Sequence, residues 1–425
     1  MNSLTRKKSN NNNNNNRLFN TYSNLHSNKI SNAFHGRISN LKTLKKNFKL
    51  SKIQNITGDE VIIMGPNYYR EYQLPGNINI HIFGEFHLPT YRIEIPDNAI
   101  LFSDLFQSLV VNNKDKFYDI FFEKKMRVKS TPSETNISLG SSAMFDLLNI
   151  KFKSCLEFNK SKCKYKNLRS HYVDLRDVDP EMNKILVFIN NILVNGGVTS
   201  GNFDNNDTYN IIINRVLYIV MDFKEFFLNS ESPIYKKIIK QFYNLEPNLA
   251  AVLQQFILDE QSLLHNQIIE IFSKNTYTSI DDLIDDVFYK TFDDIDEQTG
   301  EVLARKDIQY ILNLLQPNIA QNLDKLINIA MELFALFYMD MYMLFRMFRI
   351  GYTPRNNKYS GPANNIFIYT GQAHSIRFSK FIEKYLHIKP LISNGSNEIK
   401  ILSHSNLSTF EPFVKINKSN SLLFK

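Results

Sequence analysis

Tryptophan is absent from this sequence, and glycine is scarce, with 14 residues in 425. Asn, Lys, Ile, Phe and Tyr are used heavily instead, a bias expected where codons are drawn from A and T, as in an A+T-rich protist or a giant DNA virus. Hydrophobic residues still make up 43% and aromatic residues 13% of the chain. The chain as a whole is therefore expected to fold around a large core.

Cysteine is also scarce, because only Cys155 and Cys163 occur. Two cysteines are too few for a disulfide framework, and their spacing matches no common zinc motif. We predict that both are reduced thiols. The polar amino-terminal residues lack the apolar core of a secretory signal. The expected location is intracellular and soluble, in the host cytoplasm or a virion if the protein is viral.

Acidic residues are missing from residues 1–53, which contain eleven Lys or Arg and an asparagine run at 10–16. The formal net charge of +8 thus leaves 39 basic against 42 acidic residues, or −3, for the rest of the chain. We predict a disordered, low-complexity basic tail over 1–53. Contact with nucleic acid is expected only through this tail.

An uninterrupted apolar run long enough to cross a bilayer is missing as well. The best candidate, 327–350, is interrupted by charged residues, which are costly at membrane depth. These residues are Glu332, Asp340, Arg346 and Arg349. We therefore predict a buried helix and no membrane span.

Short apolar runs predict a mostly parallel sheet. The runs 78–83 and 117–122 read as buried strands. Apolar residues at three- and four-residue spacing over 100–109 predict a helix between them, so the two strands should be parallel. The sheet is predicted to resume at 366–370, before a further helix. Other candidate strands are 61–64, 171–175 and 398–402.

The long stretch between the early and late strands has helical spacing. Its predicted helices are 181–194, 209–229, 232–243, 247–273, 280–292, 301–315 and 319–350. We therefore predict an α/β fold whose mostly parallel sheet carries a large helical insertion. The predicted divisions are the tail 1–53, the first part of the core 54–180, the helical insertion or cap 181–350 and the last part of the core 351–425.

Polar residues directly follow three of the predicted strands. Gly84-Glu85-Phe86-His87 follows the first, Glu123 the second and Gly371-Gln372-Ala373-His374 the late one. Ligands of open α/β sheets bind beyond the carboxyl ends of the strands, so we expect these residues to line one cleft. Gly84 and Gly371 would allow a close backbone approach there, and helix amides would hold an anion.

The order of these motifs resembles the superfamily that unites erythromycin esterases, haem-binding ChaN-like proteins and TraB/Tiki proteases. The resemblance covers roughly residues 78–390 and rests on Gly84-Glu85-Phe86-His87, Phe121-Phe122-Glu123 and Gly371-Gln372-Ala373-His374. The spacing of the first motif is closer to the ChaN-like members. Arg346 or Arg349 would match the arginine that the family often carries before its last strand. The resemblance implies a hydrolase acting on an ester or amide bond.

Two hydrolytic mechanisms fit these residue types. In one, a divalent ion such as Mn, Co or Zn lowers the pKa of a bound water. Its ligands would come from Glu85, His87, Glu123 and His374. In the other, His87 is the general base on a water that Glu85 or Glu123 orients. Arg346 or His374 then stabilises the developing oxyanion. The resemblance to Tiki proteases favours the metal, whereas the resemblance to esterases favours the free base.

Two functions of other classes stay open. The first is a non-catalytic ligand-binding or interaction protein on the same fold. The second gives the main role to the basic tail, as a contact to nucleic acid or as a virion component. For the hydrolase, the sequence indicates a small-molecule or peptide substrate without specifying which.

Overall fold

The computed structural model describes fifteen stretches of the chain. They are 59–86, 99–125, 143–156, 163–175, 178, 233–273, 277–283, 286, 292–295, 302–305, 314–316, 318–333, 338–349, 363–396 and 413–425. The predictions of a basic tail, of helices at 181–194 and 209–229 and of a strand at 398–402 lie outside these residues.

The strands of the described stretches form three sheets. They are β1 (Glu60–Met64), β2 (Tyr68–Leu74), β3 (Ile78–Glu85), β4 (Ala99–Leu101), β5 (Tyr118–Lys125), β6 (Leu168–Asp174), β7 (Phe292–Ile295), β8 (Val302–Arg305), β9 (Asn365–Gly371), β10 (Ile392–Asn394) and β11 (Phe413–Asn417). The main sheet has the order β10-β2-β3-β9-β5-β6, and its strands β3, β9, β5 and β6 are parallel. A smaller sheet has the order β11-β1-β4, and β7 pairs with β8. The predicted α/β fold is confirmed.

Helices cover both faces of the main sheet. Their bounds are α1 (Phe102–Asn112), α2 (Ala143–Phe152), α3 (Pro233–Phe242), α4 (Pro247–Ser273), α5 (Ile319–Met331), α6 (Tyr338–Phe348) and α7 (Gln372–Tyr385). Apolar side chains of α1 and α2 pack on one face of the sheet, around Phe83 and Tyr369. Those of α3 to α7 pack on the other face, around Ile82 and Phe121. The helices between β6 and β9 thus form a second layer on the sheet.

β9 lies at the centre of the sheet although it comes late in the chain. β3 and β5 are connected through α1 and leave one strand position between them. β9, which follows α3 to α6 in the chain, occupies this position. The register pairs Glu85 with Gly371 and Phe122 with Tyr369. The carboxyl ends of three strands therefore meet at one point of the sheet edge.

Several predicted elements match these bounds, and others are wrong. The strands predicted at 61–64, 78–83, 117–122, 171–175 and 366–370 are confirmed, as are the helices at 100–109, 232–243 and 247–273. The helix predicted at 301–315 is wrong at its start, where β8 pairs with β7. The end predicted for the preceding helix, residue 292, belongs to β7. Strand pairing overrides local helical spacing here, as it often does.

The strand β2 was missed because it carries Arg70 and Glu71, which are polar and yet buried. It joins β3 through a tight turn in which Gly76 and Asn77 have φ of 82° and 59°. Gly and Asn tolerate positive φ better than other residues. The Gly76-Asn77 pair is therefore the sequence feature that indicates this turn.

The apolar run 327–350 is divided between α5 and α6. None of the helices that the structure describes is long and apolar enough to cross a membrane.

The prediction of reduced cysteines is wrong. Cys155 and Cys163 form a disulfide between the short helix Lys153–Cys155, which follows α2, and the segment that enters β6. Two cysteines cannot make a framework, but eight residues of separation still allow one local bridge.

Candidate functional site

The candidate site lies where β3, β9 and β5 end. Glu85 is the last residue of β3, Gly371 is the last residue of β9, and Glu123 lies two residues before the end of β5. The helix α7 starts at once after Gly371 and carries His374 in its first turn. His87 lies outside the residues that the structure describes.

A buried aspartate holds the imidazole of His374. Its Nδ1 atom lies 2.6 Å from Oδ1 of Asp340, which comes from the first turn of α6. Its Nε2 atom faces Oε1 of Glu123 at 3.9 Å. Asp340 is fully buried, whereas Glu123 keeps 9% of its side chain exposed. The imidazole is therefore fixed on one side and faces a carboxylate on the more accessible side.

The other oxygen of Glu123 is anchored to the start of α7. Oε2 accepts a hydrogen bond of 2.8 Å from the backbone N–H of Gly371. No side chain of the helix itself caps this terminus, so the carboxylate satisfies one of the donors that a helix start leaves open. The carboxylate of Glu123 therefore occupies a place at the start of α7 where a bound anion was expected.

Burial and charged neighbours shift the pKa of Asp340. Burial raises the pKa of this carboxyl above its ordinary value, and the negative charge of Glu123 acts in the same direction. The neighbouring His374 and Arg377 oppose the rise without cancelling it. Nε of Arg377 lies 3.0 Å from Oδ2 of Asp340, at ion-pair distance but without hydrogen-bond alignment. A buried acid whose pKa is raised beside a histidine is typical of functional sites.

Glu85 lies on the opposite face of the sheet. Its Oε2 atom accepts a hydrogen bond from the hydroxyl of Tyr369, a residue of the cluster that packs under α1 and α2. Burial, followed by the charge of Glu85, raises the pKa of Tyr369 well above its ordinary value. Strand alternation explains the separation, because Glu85 shares a face with Phe83, whereas His374 belongs to the helix layer of the other face.

Gly84 allows α7 to start close to the sheet. A Cβ atom at this position would lie 2.9 Å from Oγ of Ser375 and 3.1 Å from Cα of Gln372. Any side chain would therefore push the first turn of α7, with His374, away from β3. Gly371 has φ of −58°, so its conformation does not require glycine.

Arg346 is directed towards α3. Its Nη1 atom lies 3.0 Å from Oε1 of Gln241, and Arg349 reaches the same oxygen at 3.2 Å. Burial and the charge of Arg346 lower the pKa of Lys237, on the same helix as Gln241. Arg346 is six residues beyond Asp340 on α6, about 9 Å along the helix axis. The structure brings together Glu123 and His374 among the predicted residues, and it gives Arg346 other neighbours.

The donors in the described stretches do not by themselves fit a metal ion. A site for zinc or a similar ion needs three or four protein ligands, and no group of three His, Cys, Asp or Glu is so arranged among the residues that the structure describes. Glu123 and His374 present two donors 3.9 Å apart. The second nitrogen of His374 already contacts Asp340.

Asp340, Arg377 and Tyr369 were missed by the reasoning from sequence. In the sequence, Asp340 is one of the charges that interrupt an apolar run. An acid between two methionines of a buried helix needs a partner, which was the available signal. Arg377 follows His374 by three residues and so shares its helix face. Tyr369 gave no signal, because its role depends on which strand lies beside β3.

Comparison of the chain with protein-family models, with curated proteins and with solved structures finds no match.

Proposed function

We propose that the protein is a hydrolase of ester or amide bonds in which His374 is the acid–base group. One observation carries this proposal: Asp340 holds Nδ1 of the imidazole at 2.6 Å, while Nε2 faces the carboxylate of Glu123. A buried carboxylate on one nitrogen fixes the tautomer and orientation of a histidine, which leaves the other nitrogen to exchange a proton. Glu123 supplies a second carboxylate whose position is set by the Gly371 amide.

The chemistry follows from these positions. A water molecule about 2.8 Å from both Nε2 of His374 and Oε1 of Glu123 would be activated and oriented there. Nε2 takes one proton from the water as its oxygen forms a bond to the carbonyl carbon of the substrate. The imidazolium then returns the proton to the leaving oxygen or nitrogen as the scissile bond breaks. Asp340 stabilises the positive charge that His374 carries between these two steps.

Assays of the purified full chain with p-nitrophenyl acetate and with a fluorogenic peptide amide test the proposal. We expect hydrolysis of at least one substrate, and we expect His374→Gln to reduce kcat/KM by about 10²- to 10⁴-fold. The matched control is His171→Gln. His171 is equally buried and also contacts an aspartate, Asp119 at 3.2 Å, but it lies within the sheet. Circular dichroism of both variants checks that they fold.

Equal activity of His374→Gln and the unmodified chain would contradict the proposal. If the chain hydrolyses neither substrate class, and a ligand still protects it against thermal unfolding, the alternative of a non-catalytic ligand-binding protein is favoured. A chelator added to an active sample decides whether the reaction needs a metal ion.

A further inference from the structure

The two oxygens of the Asp340 carboxylate contact two different side chains on one face of α7. Oδ1 lies 2.6 Å from Nδ1 of His374, and Oδ2 lies 3.0 Å from Nε of Arg377. Both partners are on α7, three residues apart, while Asp340 comes from α6. The aspartate thus has one oxygen for the histidine and one for the arginine.

Arg377 is held in place by acids from two other helical segments. Its Nη1 atom lies 3.3 Å from Oε2 of the buried Glu260 on α4, and its Nη2 atom lies 2.7 Å from Oε1 of Glu332 at the end of α5. Lys380 also contacts Glu260 at 3.3 Å. Arg377 keeps only 12% of its side chain exposed. A guanidinium fixed by three carboxylates has little freedom to turn away from Asp340.

We propose that Arg377 is a positioning residue, which acts through Asp340 to place the imidazole proton of His374 on Nδ1. The inference rests on the proposed function and deepens it, because a proton on Nδ1 leaves Nε2 able to accept one from water. Arg377 does not itself touch the reacting atoms.

The physical reason is that the guanidinium of Arg377 is always positively charged and lies 3.0 Å from Oδ2 of Asp340. This charge favours the ionised form of Asp340, whose other oxygen, Oδ1, is then an acceptor. An acceptor at 2.6 Å from Nδ1 of His374 requires that this nitrogen carry the proton. The negative charge of Glu123 on the Nε2 side would otherwise attract the proton to the wrong nitrogen.

Substitution of Asp340 by asparagine makes this arrangement testable. In Asp340→Asn the cation of Arg377 favours the amide oxygen on its own side, so the NH₂ group faces His374. Nδ1 must then accept, and the proton moves to Nε2. In the double variant Asp340→Asn with Arg377→Met, the amide is free to turn its oxygen towards His374. The proton is then expected to return, at least in part, to Nδ1.

Nitrogen NMR of ¹⁵N-histidine-labelled full chain reads the tautomer directly, and His374→Gln assigns the signal. We expect the Nδ1–H form of His374 in the unmodified chain and the Nε2–H form in Asp340→Asn. In the double variant we expect either the Nδ1–H form again or a mixture of the two forms. Arg169→Met, which removes the arginine beside Asp119, is the matched control and should leave the His374 signal unchanged. The same tautomer in Asp340→Asn and in the double variant would overturn the proposal. If the double variant does not fold, a proton retained on Nδ1 in Asp340→Asn alone overturns it.

The NMR measurement needs no substrate, so it separates this inference from the proposed function. A chain without hydrolytic activity can still show the tautomer change, and an active chain can fail to show it. Where activity is found, we expect Arg377→Met to lower kcat by about 10- to 100-fold with KM little changed, which is the size of effect that outer partners of histidines have at metal sites. Arg377→Lys should recover part of the loss. A purely structural role would instead lower the fraction of folded protein and leave kcat per folded molecule unchanged.

Discussion

Two buried aspartates of this fold each contact one histidine and one arginine, and their surroundings differ. Asp119, on β5, accepts hydrogen bonds of 2.7 and 2.8 Å from the guanidinium of Arg169 and lies 3.2 Å from Nε2 of His171. All three side chains lie inside the sheet on neighbouring strands. Asp340, on α6, contacts His374 and Arg377, but there the histidine also faces a second acid, Glu123.

The second acid accounts for part of the difference in acidity between the two aspartates. Burial alone raises the pKa of Asp119, but the hydrogen bond to His171 and the charge of Arg169 outweigh it, so the pKa lies below its ordinary value. Burial also raises the pKa of Asp340, and its partners do not overcome it. The surroundings of Asp119 therefore favour its ionised form, whereas the surroundings of Asp340 oppose ionisation. Burial and residue types alone therefore do not determine the acidity of a buried aspartate.

Asparagine at each aspartate should separate the two groups most clearly. Asp119→Asn removes the carboxylate that accepts two hydrogen bonds from the buried guanidinium of Arg169, so we expect the free energy of unfolding to fall by about 3 to 5 kcal/mol. Asp340→Asn removes a carboxylate whose ionisation is opposed by burial. We expect it to leave the free energy of unfolding unchanged or to raise it by about 1 kcal/mol at neutral pH. Urea unfolding of the two variants measures both values. A larger loss for Asp340→Asn than for Asp119→Asn would contradict the different roles given to the two aspartates.

A third buried carboxylate–histidine pair makes the stability of the fold depend on pH. Glu71 lies 3.5 Å from His81 and also accepts hydrogen bonds from Tyr69, Ser421 and the amide of Leu422. Burial opposes ionisation, but the hydrogen bond and charge of His81 and the hydroxyl donors lower the pKa of Glu71 from 4.5 to about 2.

Because the folded pKa of Glu71 is the lower one, its stabilisation is complete above pH 4.5 and is lost as the pH falls towards 2. The expected loss is at most about 3 kcal/mol. Thermal unfolding across this pH range measures it, with Glu71→Gln as the control that should show a flatter dependence. An equally steep dependence in Glu71→Gln would assign the acid sensitivity to other carboxylates.

Alanine at Gly84 tests the approach of α7 to the sheet. The new Cβ atom would meet Ser375 and the backbone of Gln372, so we expect a loss of about 1 to 3 kcal/mol together with a displaced His374 and lower activity. The control is Gly76→Ala, where φ is 82° but nothing lies within 4 Å of the added atom. It should cost about 1 kcal/mol and leave activity unchanged. If both variants keep full activity, the spacing between β3 and α7 does not position His374.

Local sequence patterns were enough to predict the α/β fold and the places of the polar motifs at the ends of its strands. Apolar runs that end in Gly84-Glu85 and in Glu123 are local patterns, and a parallel sheet places such ends at one edge. The helices α3 and α4 were also predictable, because 3.6-residue spacing is a local property. The hairpin of β7 and β8 was not, because pairing with another strand outweighed local spacing.

The partners of each polar residue depend instead on how the strands and helices pack together. It inserts β9 between β3 and β5, which brings the Gly371 amide to Glu123 and Tyr369 to Glu85. It also brings Asp340 to His374 from another helix. These contacts join residues 34 to 284 positions apart in the chain. No local pattern encodes them, because such contacts depend on strand order, on the face of each strand and on which helices pack together.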